Sequence, residues 1–166
     1  MRILYAIATL FVLVSFPVWT ARTGTVEHDF RKGLAAFNTG DYATALRLWR
    51  PLAEREEPRS EAAIGFMYHR GLGVETDDRG AALWLRRAAE HGQPEGQLML
   101  GILFYYGRGV PRSYVRAYAW CELAEINGNA DATLCREAAL ESMSDTDREE
   151  AFDLAVDLRE RYGPRR

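Results

Sequence analysis

The sequence predicts an all-α solenoid of stacked helical hairpins, and three observations carry that expectation. Residues 61–128 hold one stretch written twice at an offset of 36, with eight identities: Gly65/Gly101, Gly71/Gly107, Gly73/Gly109, Val74/Val110, Ala81/Ala117, Trp84/Trp120, Ala88/Ala124 and Gly92/Gly128. Each copy has helically spaced apolar residues on both sides of a glycine loop, so each is a supersecondary unit that must stack on neighbours to bury a core. A charged amphipathic segment follows the second copy, as the end of such a stack requires.

The bulk properties are those of an ordinary globular chain: 166 residues, 48% hydrophobic and 27% charged, so one domain is expected. Twenty-one basic residues stand against 24 acidic ones. No basic stripe with interleaved aromatics occurs, which argues against a nucleic-acid partner. The start of the chain differs from the rest. Arg2 precedes an uncharged, largely apolar run over residues 3–19 with Pro17 near its end, the layout of a secretory signal. Residues 1–21 are therefore read as a signal peptide cut after Ala21. Trp19 is a poor residue beside such a cut, so an N-terminal membrane anchor formed by residues 3–19 is the rival reading. Export is expected in both cases, to the periplasm or to the outer side of the inner membrane.

Taken in order, residues 22–29 are polar and unpatterned and read as a linker. A helix is expected over residues 28–38, broken at Asn38-Thr39-Gly40. Asp41 then caps a helix over residues 42–56 that carries Ala45, Leu48, Trp49 and Leu52, with Pro51 bending it or limiting its last turn. Asp41, Asp77 and Ser113 lie 36 apart, as do Ala45, Ala81 and Ala117. Residues 30–59 thus form a degenerate first repeat with a shorter connection and no loop glycine pair. Repeat 2, residues 60–94, has helices over 60–68 and 78–90. Repeat 3, residues 95–129, has them over 96–106 and 114–127. Gly71 and Gly107 are expected to end the first helix of each in the left-handed conformation, and Gly73 and Gly109 to reverse the chain. Gly65 and Gly101, in mid-helix, cost about 1 kcal/mol each against alanine. Their expected purpose is close contact with the second helix, whose small residues are Ala81, Ala88, Ala117 and Ala124. Residues 130–162 form two capping helices, the second opened by a Ser144/Asp147 capping box and stopped by Gly163-Pro164; residues 163–166 are a tail.

The stretch from Ala63 to Gly92 closely resembles the Sel-one-like repeat, a tetratricopeptide-like hairpin with a longer inter-helix loop. Ile64, Gly65, Tyr68, Gly71, Gly73, Val74, Asp77, Ala81, Trp84, Ala88, Ala89 and Gly92 stand on its motif positions. Leu100, Gly101, Phe104, Gly107, Gly109, Val110, Ala117, Trp120, Ala124 and Gly128 fit in the second unit, where Ser113 replaces the aspartate and Glu125 the second alanine. The resemblance implies a right-handed superhelix that serves as a non-enzymatic adaptor for protein or peptide partners, often in exported bacterial proteins, with no catalytic residues and no cofactor. Some cysteine-rich relatives are described as penicillin-binding, which keeps an envelope enzyme or peptidoglycan-binding accessory as the alternative. This chain lacks their cysteine pair in every unit, and no serine begins an S-x-x-K motif.

In such solenoids the first helix of each hairpin lines the concave surface. On a helical wheel the side opposite the core collects Arg59, Ala63, Phe66 and Arg70, then Glu95, Met99, Ile102 and Tyr106 in the next unit, of which Arg59, Phe66, Arg70, Met99, Ile102 and Tyr106 are taken as contacts. These six residues are the candidate partner-binding set, a groove for an extended peptide or helix; packing of the inner helices on one another is the competing reading. Cys121 and Cys135 lie seven residues before and after the Gly128 turn. They are candidates for a disulfide across antiparallel helices, although Cys121 also occupies the slot of Leu85, which suits plain apolar packing. His28, His69 and His91 lack a second ligand at metal spacing and read as surface or interface residues. The glycine pairs follow helices and lack a GK[ST] ending, so they are not read as phosphate loops.

Overall fold

The computed structural model describes residues 17–164, with side chains from Thr25 onward; residues 1–16, most of the signal or anchor reading, lie outside that range. The described residues form eight helices and no strand: α1 Pro17–Asn38, α2 Tyr42–Ala53, α3 Pro58–Arg70, α4 Asp78–Glu90, α5 Pro94–Tyr106, α6 Tyr114–Ile126, α7 Ala132–Glu141 and α8 Asp145–Tyr162. Three hairpins, α1/α2, α3/α4 and α5/α6, stack in order, and α7 and α8 both pack on α6. Neighbouring first helices such as α3 and α5 meet more extensively than α4 and α6 do, which sets the first helices on the inside of the curve. Among the described residues, no helix is long and apolar enough to cross a membrane.

The segment read as a linker, residues 22–29, lies within α1. Its pattern is there to be seen: Val26, Phe30, Gly33 and Phe37 recur at helical spacing and lay one face of α1 against α2. α3 and α5 begin two residues earlier than their apolar periodicity suggests, because Pro58 and Pro94 fill the first helical turn, where a missing N–H costs no hydrogen bond. α2 stops at Ala53 rather than near residue 56. Pro51 lies in its last turn, and Glu56 takes a positive φ of 61°. Leu46 is buried in α2, whereas Leu48 is only half-buried.

The expected caps are present. Asp41, Asp77 and Ser113 accept from the backbone N–H groups of Thr44, Gly80 and Arg116, and the Ser144/Asp147 capping box opens α8. Gly71 and Gly107 end α3 and α5 at φ 65° and 70°, in the left-handed region where a side chain is strained. The second loop glycines have a further role between hairpins. A Cβ on Gly73 would lie 2.7 Å from Cβ of Tyr42, and one on Gly109 would collide with the backbone of Asp78. Each glycine loop thus abuts the start of the preceding hairpin's second helix.

Within each hairpin one glycine of the first helix receives one side chain of the second. A Cβ on Gly65 would lie 2.6 Å from Cγ of Leu85, one on Gly101 would collide with Sγ of Cys121, and one on Gly33 would collide with the Trp49 indole. Leu85 and Cys121, rather than the alanines, are the principal partners of the mid-helix glycines. Trp49, Leu85 and Cys121 are again 36 apart. Trp49 also donates from Nε1 to the Phe30 carbonyl at 3.2 Å.

Polar side chains clip the same hairpins. Glu61 has no exposed surface; its carboxylate meets Nε of Arg87 at 2.9 Å and Nδ1 of His91 at 2.7 Å. The Arg87 contact is an ion pair rather than an aligned hydrogen bond, and Arg87 donates a hydrogen bond to the Ala53 carbonyl at the end of α2. One repeat later the equivalent pair is neutral: Asn127 donates to the buried Gln97 amide oxygen at 2.9 Å, and Gln97 donates to the Ala89 carbonyl. A disulfide joins Cys121 of α6 to Cys135 of α7 across a Cα–Cα distance of 6.0 Å.

Gly65→Ala should lower stability in urea by about 1–3 kcal/mol through overpacking, and adding Leu85→Ala should remove most of the strain between the two positions, read as a double-mutant coupling. α7 is held on α6 by the buried Ala132 and Ala139, by Thr133 and Arg136 donating to Glu125, and by the disulfide. Opening this short loop by reduction should cost about 3 kcal/mol, with amide exchange rising first in α7 and unchanged in α3 and α4.

Candidate functional site

The inner helices leave an open groove, of about 380 Å³, between α1, α3 and the start of α5. It is lined by Phe30, Leu34 and Phe37 of α1, Trp49 of α2, Arg59, Ala62, Ala63 and Phe66 of α3, and Gln93, Glu95 and Met99 at the start of α5. Its floor is an aromatic cluster. Phe30 and Phe37 each lie 5.8 Å from Trp49, and Phe66 lies 6.1 Å from Phe37, between ring centroids. These rings sit on both the core and the groove because α1 presents Phe30, Leu34 and Phe37 at i, i+4 and i+7, one stripe wide enough to reach α2 and to border α3. Leu34 is 42% exposed.

The charged groups stand at one end. Arg59 lies 4.2 Å above the Phe30 ring, with Nε 2.7 Å from Glu57 and a terminal nitrogen 2.9 Å from Glu27. Burial works against its charge, but the hydrogen bonds it donates to Glu57 and Glu27 outweigh that and hold the guanidinium above its ordinary pKa. Glu57 caps α3 at the Ser60 N–H, and Gln93 donates to the Glu95 carboxylate at 2.6 Å. The arrangement offers apolar contact with a charged rim and holds no nucleophile paired with a base.

Of the six residues singled out by the wheel, Arg59, Phe66 and Met99 line this groove. Arg70 and Tyr106 are exposed and Ile102 half-buried, nearer the glycine loops and outside the lining; Tyr106 makes an edge contact with Tyr105. Phe30, Leu34, Phe37, Trp49 and Gln93 were missed. The helix expected over residues 28–38 already held Phe30, Leu34 and Phe37, and their i, i+4, i+7 stripe was the signal that could have placed them on the groove. The histidines sit elsewhere: His69 pairs with Asp78 at 2.6 Å and His91 with Glu61, while His28 is exposed. Among the described residues, no group of three or more His, Cys, Asp or Glu could hold a metal ion.

The Sel1 repeat, as a sequence family, matches residues 58–93 and 94–129. A Sel1 repeat protein from Oxalobacter formigenes is similar over 73% of this chain and 94% of its own, at 33% identity and a TM-score of 0.62. The protein c5321, described as a protective antigen present in uropathogenic Escherichia coli strains and displaying an SLR fold, is 29% identical over 89% of this chain, with a TM-score of 0.81. That match spans 32% of c5321, about a third of its length. No curated protein matches the chain.

Leu34→Gln should change stability by less than about 1 kcal/mol, as expected of a partly exposed wall residue, whereas Trp49→Ala should cost about 3–5 kcal/mol. Equal losses in urea melts would show that the wall is core rather than groove.

Proposed function

The chain belongs to the Sel1 repeat family, a family of helical protein-interaction scaffolds, and from that premise we propose that it is a non-enzymatic adaptor of the bacterial cell envelope that captures a protein or peptide segment in the α1/α3/α5 groove. The observation that carries the reading is the open apolar groove across the first helices of three successive hairpins. A folded monomer leaves such an aromatic-floored channel uncovered at a cost in hydration, and binding recovers it. Arg59, Phe66 and Met99 act together with Phe30, Leu34 and Phe37 as the contact set, and Arg70, Ile102 and Tyr106 extend it toward the loops.

Location is part of the same proposal. The signal-like layout of residues 1–21 supports export, a disulfide between Cys121 and Cys135 suits an oxidising compartment, and the antigen description of c5321 points the same way. A protein cut after Ala21 is periplasmic; one that keeps residues 3–19 is held at the inner membrane.

Crosslinking capture from native envelopes, with the wild-type chain beside a Leu34→Gln/Met99→Gln variant, should recover one specific protein partner with the wild type and lose it with the variant. Equal recovery by both would reject the groove. N-terminal sequencing of the purified protein should start near Arg22, and an intact Met1 would reject cleavage.

A further inference from the structure

Resting on that reading of the groove, we propose that its occupant is an apolar peptide segment of another protein that carries a lysine or arginine at the end seated over Glu27 and Glu95. The lining fixes the apolar part. At about 380 Å³ the groove lies at the small end of the range for ligand pockets, about 300–1,000 Å³. It takes one or two large side chains rather than a folded surface.

The charge fixes the rest. Lining the groove or touching its lining are three carboxylates, Glu27, Glu57 and Glu95, and one guanidinium, Arg59. All four belong to the end where α3 and α5 begin. Arg59 is not a free cation for an acidic partner, since Glu27 and Glu57 already hold it and Phe30 lies under it. Two negative charges remain in excess. The N-termini of α3 and α5 return about half a unit each, which leaves about one uncompensated negative charge beside an apolar floor. The lining toward the glycine loops, Leu34, Phe37, Phe66 and Met99, carries no charge, so the acidic end is the charged end of the groove. A segment with its cation at the Glu27/Glu95 end meets opposite charge there; one with an anion at that end meets like charge.

Three fluorescein-labelled 12-residue peptides with one shared leucine/tryptophan core, flanked by lysine, serine or glutamate at the same end, test this by anisotropy against the full chain. The lysine peptide should bind about fivefold tighter than the serine peptide and the glutamate peptide correspondingly weaker, as exposed ion pairs allow. The preference should shrink in 0.5 M salt, against a Debye length of about 10 Å at 0.1 M. Glu95→Gln, which keeps the contact with Gln93, should lower the ratio of lysine-peptide to serine-peptide affinity toward one. Leu34→Gln/Met99→Gln should weaken all three. Equal binding of the three peptides, lost in Leu34→Gln/Met99→Gln, would overturn the charge inference and leave the groove standing. Binding indifferent to Leu34→Gln/Met99→Gln, or no binding of any peptide, would overturn the groove and the inference with it.

Discussion

Everything in this fold depends on how closely two helices of a hairpin approach, and a glycine facing a side chain of the second helix sets that distance three times. Gly33 receives Trp49, Gly65 receives Leu85 and Gly101 receives Cys121. A mid-helix glycine is costly by propensity alone, about 1 kcal/mol against alanine. The cost is offset because the missing methyl lets a whole side chain enter the hairpin, and close packing repays that contact atom by atom. With hairpin width fixed in this way, stacking is fixed by the loop glycines, Gly73 against Tyr42 and Gly109 against Asp78. The groove is what these distances leave over: α1 diverges from α3 and α5 with a gap wide enough for a side chain, floored by the Trp49 that fills the first glycine slot.

Equivalent slots are filled by unlike chemistry while the geometry stays the same. The buried Glu61–His91 clip of one hairpin becomes Gln97–Asn127 in the next. The His69–Asp78 pair across the glycine loop becomes a contact between Tyr105 and Tyr114 with ring centroids 5.2 Å apart. The carbonyls of Ala53 and Ala89, equivalent ends of α2 and α4, accept from Arg87 in one case and Gln97 in the other. A fully buried carboxylate is stabilising only when its partners and hydrogen bonds are in place, and the neutral amide pair avoids that demand. What the repeat keeps within this chain is a polar or charged contact for the buried side chain at this position and for the carbonyl that ends the preceding hairpin, not one residue type.

Most of the fold was legible because its determinants are local and repeated. The 36-residue offset, the caps at Asp41, Asp77 and Ser113 and the left-handed glycines at 71 and 107 each state their structural reason in the sequence. The start of α1 was not legible as read, since residues 20–27 are mostly polar and hold one large apolar residue, Val26. Leu34 and Phe37 gain meaning only once α3 and α5 stand opposite them. The site was half legible for the same reason: a wheel of α3 finds Arg59 and Phe66, and one of α5 finds Met99, but it cannot show which of these faces another helix across a gap. Nor can it show that Arg59 is already neutralised by Glu27, 32 residues earlier in the chain. The glycine slot escaped notice in the first hairpin because the shorter loop puts Gly33 out of the 36-residue register of Gly65 and Gly101, although Trp49 keeps that register with Leu85 and Cys121.

The central claim is that binding takes place on the inner helices, in the gap that the glycine slots create. The most direct measurement is a backbone amide NMR titration of the isotope-labelled chain with the lysine-flanked peptide. Shift changes should concentrate at Phe30, Leu34, Phe37, Phe66, Glu95 and Met99, with the outer positions of α4 and α8, such as Leu83 and Phe152, undisturbed. Changes concentrated on α4, α6 or α8 with the α1/α3/α5 residues unmoved would contradict it.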